Sequence, residues 1–137
     1  METVVKVEHD IHYIEFHDIT QTFLDTYKIP SGTECMVIKS GYIRILNIPH
    51  GITECTCYGN LGIQYIHIPK SLTYLDCENQ YIRAIHIPKN LINIRLSGNG
   101  IERISFEDCK QMEMIIFLDN NIILDISMFD KKCHFQQ

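Results

Sequence analysis

The sequence has no surplus of basic residues: 12 Lys and Arg stand against 17 Asp and Glu, a formal net charge of -5. A chain without that surplus has little with which to neutralise a phosphate backbone or an anionic bilayer, so neither nucleic acid nor membrane is an expected partner. No apolar run approaches the roughly 20 residues of a membrane-spanning helix. The opening METVVKVEHD puts acids where a signal peptide needs a basic start and an apolar stretch, so the chain is expected to begin at Met1 and to stay in the cytoplasm. The six cysteines form neither paired CxxC zinc motifs nor a dense disulfide scaffold, which points to free thiols in a reducing compartment. GxSxG, HExxH, P-loop and Gly-rich dinucleotide fingerprints are missing as well. The expectation is a non-enzymatic chain without cofactor or metal. With 45% hydrophobic and 21% charged residues in 137, the composition is that of one globular domain and excludes a disordered or collagenous chain.

Proline is scarce too, but its placement is informative. The four prolines all follow Ile, as Ile29-Pro30, Ile48-Pro49, Ile68-Pro69 and Ile87-Pro88, spaced 19, 20 and 19 residues apart. Each opens a similar segment, and a fifth unit without proline runs from about Glu107 to Phe129. Aligned at proline, the units share apolar residues in the pattern LxxLxLxxNxLxxL. The fourth reads Leu91, Ile94, Leu96, Asn99, Ile101, Ile104, and the third Leu72, Leu75, Cys77, Gln80, Ile82, Ile85. The first keeps Met36, Ile38, Ile43 and Leu46 but starts on Thr33 and has Gly41 at the Asn place. The second and fifth are read with one extra residue after Asn, as Ile52, Cys55, Cys57, Asn60, Ile63, Ile66 and Met112, Ile115, Phe117, Asn120, Ile123, Ile126.

At these residues, from about 30 to 129, the chain resembles the leucine-rich repeat family, with Ile often in place of Leu. The short unit with a proline ahead of each strand is similar to repeats of bacterial effectors of the YopM and IpaH type, and to leucine-rich repeat proteins of large DNA viruses such as poxviruses. The resemblance implies a pathogen-encoded protein acting in the host cytoplasm as an adaptor or competitor for a host protein. Abundant Ile, Asn, Lys and Tyr suit an AT-rich genome and favour the viral version. The ubiquitin-transfer domain of IpaH-type relatives has no counterpart after residue 129, so that activity is not carried over.

The expected fold is a leucine-rich repeat solenoid: a curved parallel β-sheet with one short strand per repeat, a mainly extended or polyproline-like convex side, and little helix. Alternation within each unit turns Leu75 and Cys77 inward and Tyr74, Asp76 and Glu78 outward. Strands about 4.8 Å apart give five repeats a span of about 25 Å. Units of 19 or 20 residues leave little room for a helix in the return segment. Asn60, Asn99 and Asn120 should bond buried backbone of neighbouring turns, a ladder that Gly41 and Gln80 interrupt. Residues 1–28 read as an N-terminal cap, residues 29–129 as five repeats, and residues 130–137 as a short C-terminal cap or tail. In the first cap Val5, Val7, Ile11, Ile14 and Phe16 suggest a strand pair or hairpin, although Val4, Val7, Ile11 and Ile14 equally suit one helical face.

Cys55, Cys57 and Cys77 fall at inward offsets and read as small core hydrophobes, with Cys57 and Cys77 within disulfide reach were the compartment oxidising. Cys35, Cys109 and Cys133 are the thiols placed to react. His67 and His86, each ahead of Ile-Pro, read as packed neighbours on the convex side. The expected function is protein binding through the concave face, with Lys39, Glu54, Tyr58, Tyr74, Asp76, Glu78, Asn93 and Arg95 as the contact residues. Tyr58, Tyr74 and Arg95 are the anchors, because aromatics and Arg dominate interface hot spots. Met114, Ile116 and Leu118 would form an apolar patch on that face, covered by the tail with Phe135, by a second copy or by a partner. The alternative is a self-associating structural protein that pairs through its C-terminal repeat as a homodimer.

Overall fold

Strands dominate because the inward positions are Ile, Leu, Val and Cys in strict alternation, a pattern that suits a pleated, half-buried surface. A computed structural model describes residues 4–8 and 12–137. In chain order the elements are β1 (Val4–Glu8), β2 (Tyr13–His17), β3 (Ile19–Thr20), α1 (Gln21–Thr26), β4 (Cys35–Ile38), β5 (Gly41–Tyr42), β6 (Ile45–Asn47), β7 (Glu54–Cys57) and β8 (Tyr65–His67). There follow β9 (Tyr74–Asp76), β10 (Ala84–Ile87), β11 (Asn93–Arg95), β12 (Arg103–Phe106), β13 (Met114–Ile116), a 3-10 turn (Ile126–Met128) and β14 (His134–Gln136). The chain is a parallel β-solenoid of stacked coils of about 20 residues. Its main sheet has the order β1-β2-β4-β7-β9-β11-β13-β14, and every neighbouring pair after the antiparallel β1–β2 hairpin is parallel.

Each coil enters the main sheet through the same turn. The N–H of Thr33, Ile52, Leu72 and Leu91 donates back to the carbonyl of Pro30, Pro49, Pro69 and Pro88. Met112 does the same to Cys109, and Cys133 to Asp130. Proline suits the place because its fixed φ starts the turn and its missing N–H is not called upon. The turns opened by Cys109 and Asp130 show that the period continues past the last proline and past residue 129. Residues 130–137 therefore extend the sheet with β14, paired to β13, rather than only covering its end.

Behind the main sheet lies a continuous core that includes Ile14, Phe16, Met36, Ile38, Cys55, Leu75, Cys77, Ile94, Leu96, Ile115 and Phe117, all buried. Each such side chain contributes about 1.5–3 kcal/mol by leaving water. At the N-terminal end β1 and β2 form an antiparallel pair, with Val5 and Val7 packed on the core; Ile11 lies outside the described residues. The helix α1 was not anticipated. Thr20 caps it by accepting from the Phe23 N–H at 3.2 Å, and Phe23 stacks on Tyr27 at 5.2 Å while Tyr27 meets the edge of Phe16 at 5.6 Å. The helix thus lays aromatic cover over the first coil.

The return side is extended, as expected, and carries short parallel pairs, β3–β5, β6–β8 and β10–β12. Gly41 at the Asn place of the first unit pairs with Ile19, with φ +138° and Ile19 O only 2.2 Å from where a Cβ would stand, so a side chain does not fit. The ladder members are Gln80, Asn99 and Asn120, not Asn60. Gln80 Oε1 accepts from Leu61 N–H at 3.0 Å and Ile63 N–H at 3.3 Å, matching Asn99 to Ile82 at 3.2 Å and Asn120 to Ile101 at 2.8 Å. Asn60 is exposed and accepts from Gly62 N–H, while the Leu61 carbonyl takes the corresponding bond from Ile43 at 2.9 Å. In the fifth unit the inserted residue is not there: Ile122 and Leu124 pack inward, and Ile123 is 87% exposed with Ile126 also outside. The reason is Asn121, whose N–H bonds Ile101 O at 3.0 Å and holds the coil in the register of the fourth unit.

Candidate functional site

The outward side chains of the main sheet stand in rows set by the parallel register. One row runs Cys35, Glu54, Tyr74, Asn93, Met114, His134, and the next Val37, Thr56, Asp76, Arg95, Ile116, Gln136. Just past the strands come Lys39, Tyr58, Glu78 and Leu118. Lys39, Glu54 and Tyr58 are exposed, whereas Tyr74, Asp76, Glu78, Asn93 and Arg95 are half-buried. The Lys39 ammonium sits 4.1 Å from the Tyr58 ring centroid, a cation–π contact that holds the ring with 49% of its surface free.

The face changes character along the stack. At the N-terminal end Glu15 accepts hydrogen bonds from Tyr13 and His17, and the Tyr13 hydroxyl first, then His17, hold its carboxyl below the usual range. In the middle Glu54, Asp76 and Glu78 gather beside Tyr58 and Tyr74. Burial pushes Asp76 above the ordinary aspartate range, Glu78 adds to this, and Arg95 opposes it from the facing register position without a direct ion pair. Tyr74 is raised by burial and then by Asp76. The C-terminal end is apolar: Ile116 is only 7% exposed, Met114 is half-buried and Leu118 is 40% exposed. Phe135 does not fold over these three. It pairs with Ile115 in register and packs 5.1 Å from Phe129, itself 5.0 Å from Phe106, on the core side.

No family model, no curated protein and no solved structure matches this chain.

The cysteines are accounted for by packing. Cys55, Cys57 and Cys77 are buried and free, and hydrogen bonding to Cys57 together with burial drives Cys55 and Cys77 well above the ordinary thiol range. Cys109 is 5% exposed and burial raises it to about 11, and burial raises Cys35 and Cys133 too. Burial thus works against thiolate formation at the three thiols placed to react. Among the described residues no three His, Cys, Asp or Glu side chains are arranged to hold a metal, and no helix is long and apolar enough to cross a membrane. His86 bonds forward to Ser105 Oγ at 2.7 Å and lies 3.4 Å from Glu107, so its ring serves the stacking of coils.

One group escaped the sequence reading. On the return side Arg44, Tyr65, Tyr81, Arg83 and Arg103 lie together across consecutive coils. The signal was present, because the tripeptide Tyr-Ile-Arg recurs at Tyr42-Ile43-Arg44 and Tyr81-Ile82-Arg83 at the same offset of two units.

Proposed function

We propose that this chain is a non-enzymatic protein-binding module of the leucine-rich repeat type, which holds a partner protein on the outward face of its main sheet. The observation that carries the reading is the central patch. Glu54, Asp76 and Glu78 surround Tyr58 and Tyr74 with Arg95 beside them, and Asp76 is half-buried at an energetic cost to the fold. Aromatic and Arg anchors inside a charged rim are what a hot spot requires. The core offsets repeat from coil to coil while these outward residues differ, as expected of a scaffold that presents one particular surface. An excess of acids over bases in the patch favours a partner segment rich in Lys or Arg. The resemblance to effector and viral repeats supports a host protein as that partner and the host cytoplasm as the place.

A second reading, self-association through the C-terminal coil, is favoured by the outer edge of β14 together with exposed Leu118, Ile123, Ile126 and Met128. The experiment is affinity capture from a eukaryotic lysate under reducing conditions, comparing the wild type with Tyr58→Ala, Tyr74→Ala, Arg95→Glu. A protein retained by the wild type and lost with the variant supports binding on this face. Equal retention moves the interface elsewhere, and sedimentation showing a concentration-dependent dimer with nothing retained supports the second reading.

A further inference from the structure

A cleft of about 390 Å³ opens on the return side between the coils that carry β8, β10 and β12, and it is lined by Gln64, Tyr65, Tyr81, Arg83, Ala84 and Arg103. Its size is within the range of small-ligand pockets. No carboxylate is among these lining residues, although acids outnumber bases in the chain as a whole. Of the chain's four arginines, three lie on or beside this cleft.

The cleft is held in place by its neighbours. Arg83 Nη1 donates to the Gly100 carbonyl at 3.0 Å. A Cβ at residue 100 would stand 2.3 Å from that nitrogen, so glycine is what lets the guanidinium settle there. Asn60 Nδ2 donates to the Tyr81 hydroxyl at 3.3 Å, and Arg44, itself bonded to Gln64 Oε1 at 2.9 Å, lies 5.7 Å from the Tyr65 ring centroid. Among the described residues the Arg103 side chain makes no hydrogen bond or ion pair, and the Arg83 fork keeps further N–H groups free.

We propose that this cleft binds a phosphorylated side chain of a partner protein, with the phosphate between Arg83 and Arg103 and its carrier against Tyr65 and Tyr81. Two guanidiniums offer more charge and more donors than one carboxylate satisfies. A phosphate monoester, with a charge of about -1.5 to -2 at neutral pH and three acceptor oxygens, matches both. Arg83, held before the ligand arrives, lowers the entropy cost of binding, while the unpartnered Arg103 supplies free donors. This site is on the opposite side of the coils from the outward face of the main sheet and does not depend on that reading.

The test is fluorescence anisotropy with a labelled phosphotyrosine peptide of mixed flanking sequence, its unphosphorylated twin, and inorganic phosphate and a single-stranded RNA as competitors. The phosphopeptide is expected to bind at least about tenfold more tightly than its twin, with at least about tenfold loss in Arg83→Gln and in Arg103→Gln and none in Lys131→Gln, an exposed cation far from the cleft. Arg103→Gln keeps the result interpretable if Arg83→Gln disturbs the turn at Gly100. Equal binding of the two peptides, indifference to both cleft substitutions, or competition by phosphate or RNA at concentrations as low as the peptide itself would each overturn the proposal.

Discussion

Gln80 carries its hydrogen bonds into a buried turn: its amide oxygen serves Leu61 and Ile63, and its Nε2 donates to the Gly59 carbonyl at 2.6 Å. Truncation strands the buried Leu61 and Ile63 N–H groups away from water, so Gln80→Ala is expected to cost about 2–3 kcal/mol in denaturant unfolding. Exposed Asn60 should cost no more than about 0.5 kcal/mol when changed to Ala; equal losses would overturn this assignment of the ladder. Asp76 carries the opposite balance. Its carboxyl titrates above the ordinary aspartate range in the fold, so the unfolded chain gives up the proton first as pH rises. The stability linked to this group is complete at low pH and is lost as pH climbs from the ordinary range through the raised one. Asp76→Asn should therefore raise the melting temperature at about pH 7 and leave it nearly unchanged at about pH 3. A lower melting temperature at neutral pH would show that Arg95 outweighs burial.

Within one strand, a single position decides between core and surface. In β11 and the residue after it, Arg95 is half-buried on the outward face while Leu96 is buried with 1% of its surface exposed. Leu96→Asp places an unpaired charge in the core and is expected to abolish cooperative thermal unfolding, whereas Arg95→Asp should leave a normal transition. Similar melts for the two would break the register. The short strands at the ends follow the same logic. β14 owes its place to Phe135, which packs with Phe129 while Gln137 accepts from the Leu124 N–H at 2.8 Å.

Taken as a whole, the solenoid is nearly one-dimensional, because each coil bonds the one before and the one after it. Central coils have neighbours on both sides. The last coil has one, and its cover is the aromatic trio with exposed Ile123, Ile126 and Met128 beside it. Hydrogen exchange is therefore expected to be slowest in β7, β9 and β11 and fastest in residues 122–137. Uniform protection along the chain would mean that the stack opens only as a unit.

By itself the sequence determined the repeat, the inward apolar offsets of the first four units and hence the stacked sheet, because a period of about 20 residues and alternation within each unit are properties of the local chain. It also exposed the outward rows, and Tyr-Ile-Arg at two matching offsets was there to be noticed. Only the tertiary structure decided which side chain completes each buried turn. A Gln at the Asn place reaches the same backbone groups because it is one methylene longer, whereas Asn60, one residue from Leu61, is turned out to solvent. His134–Gln136 became a strand because the edge of β13 pairs with them while Phe135 packs on Phe129, contacts that only the stacked neighbours supply. The Arg83–Arg103 cleft has the same origin: its walls come from segments about twenty residues apart in the chain, brought together only by the stacking of coils.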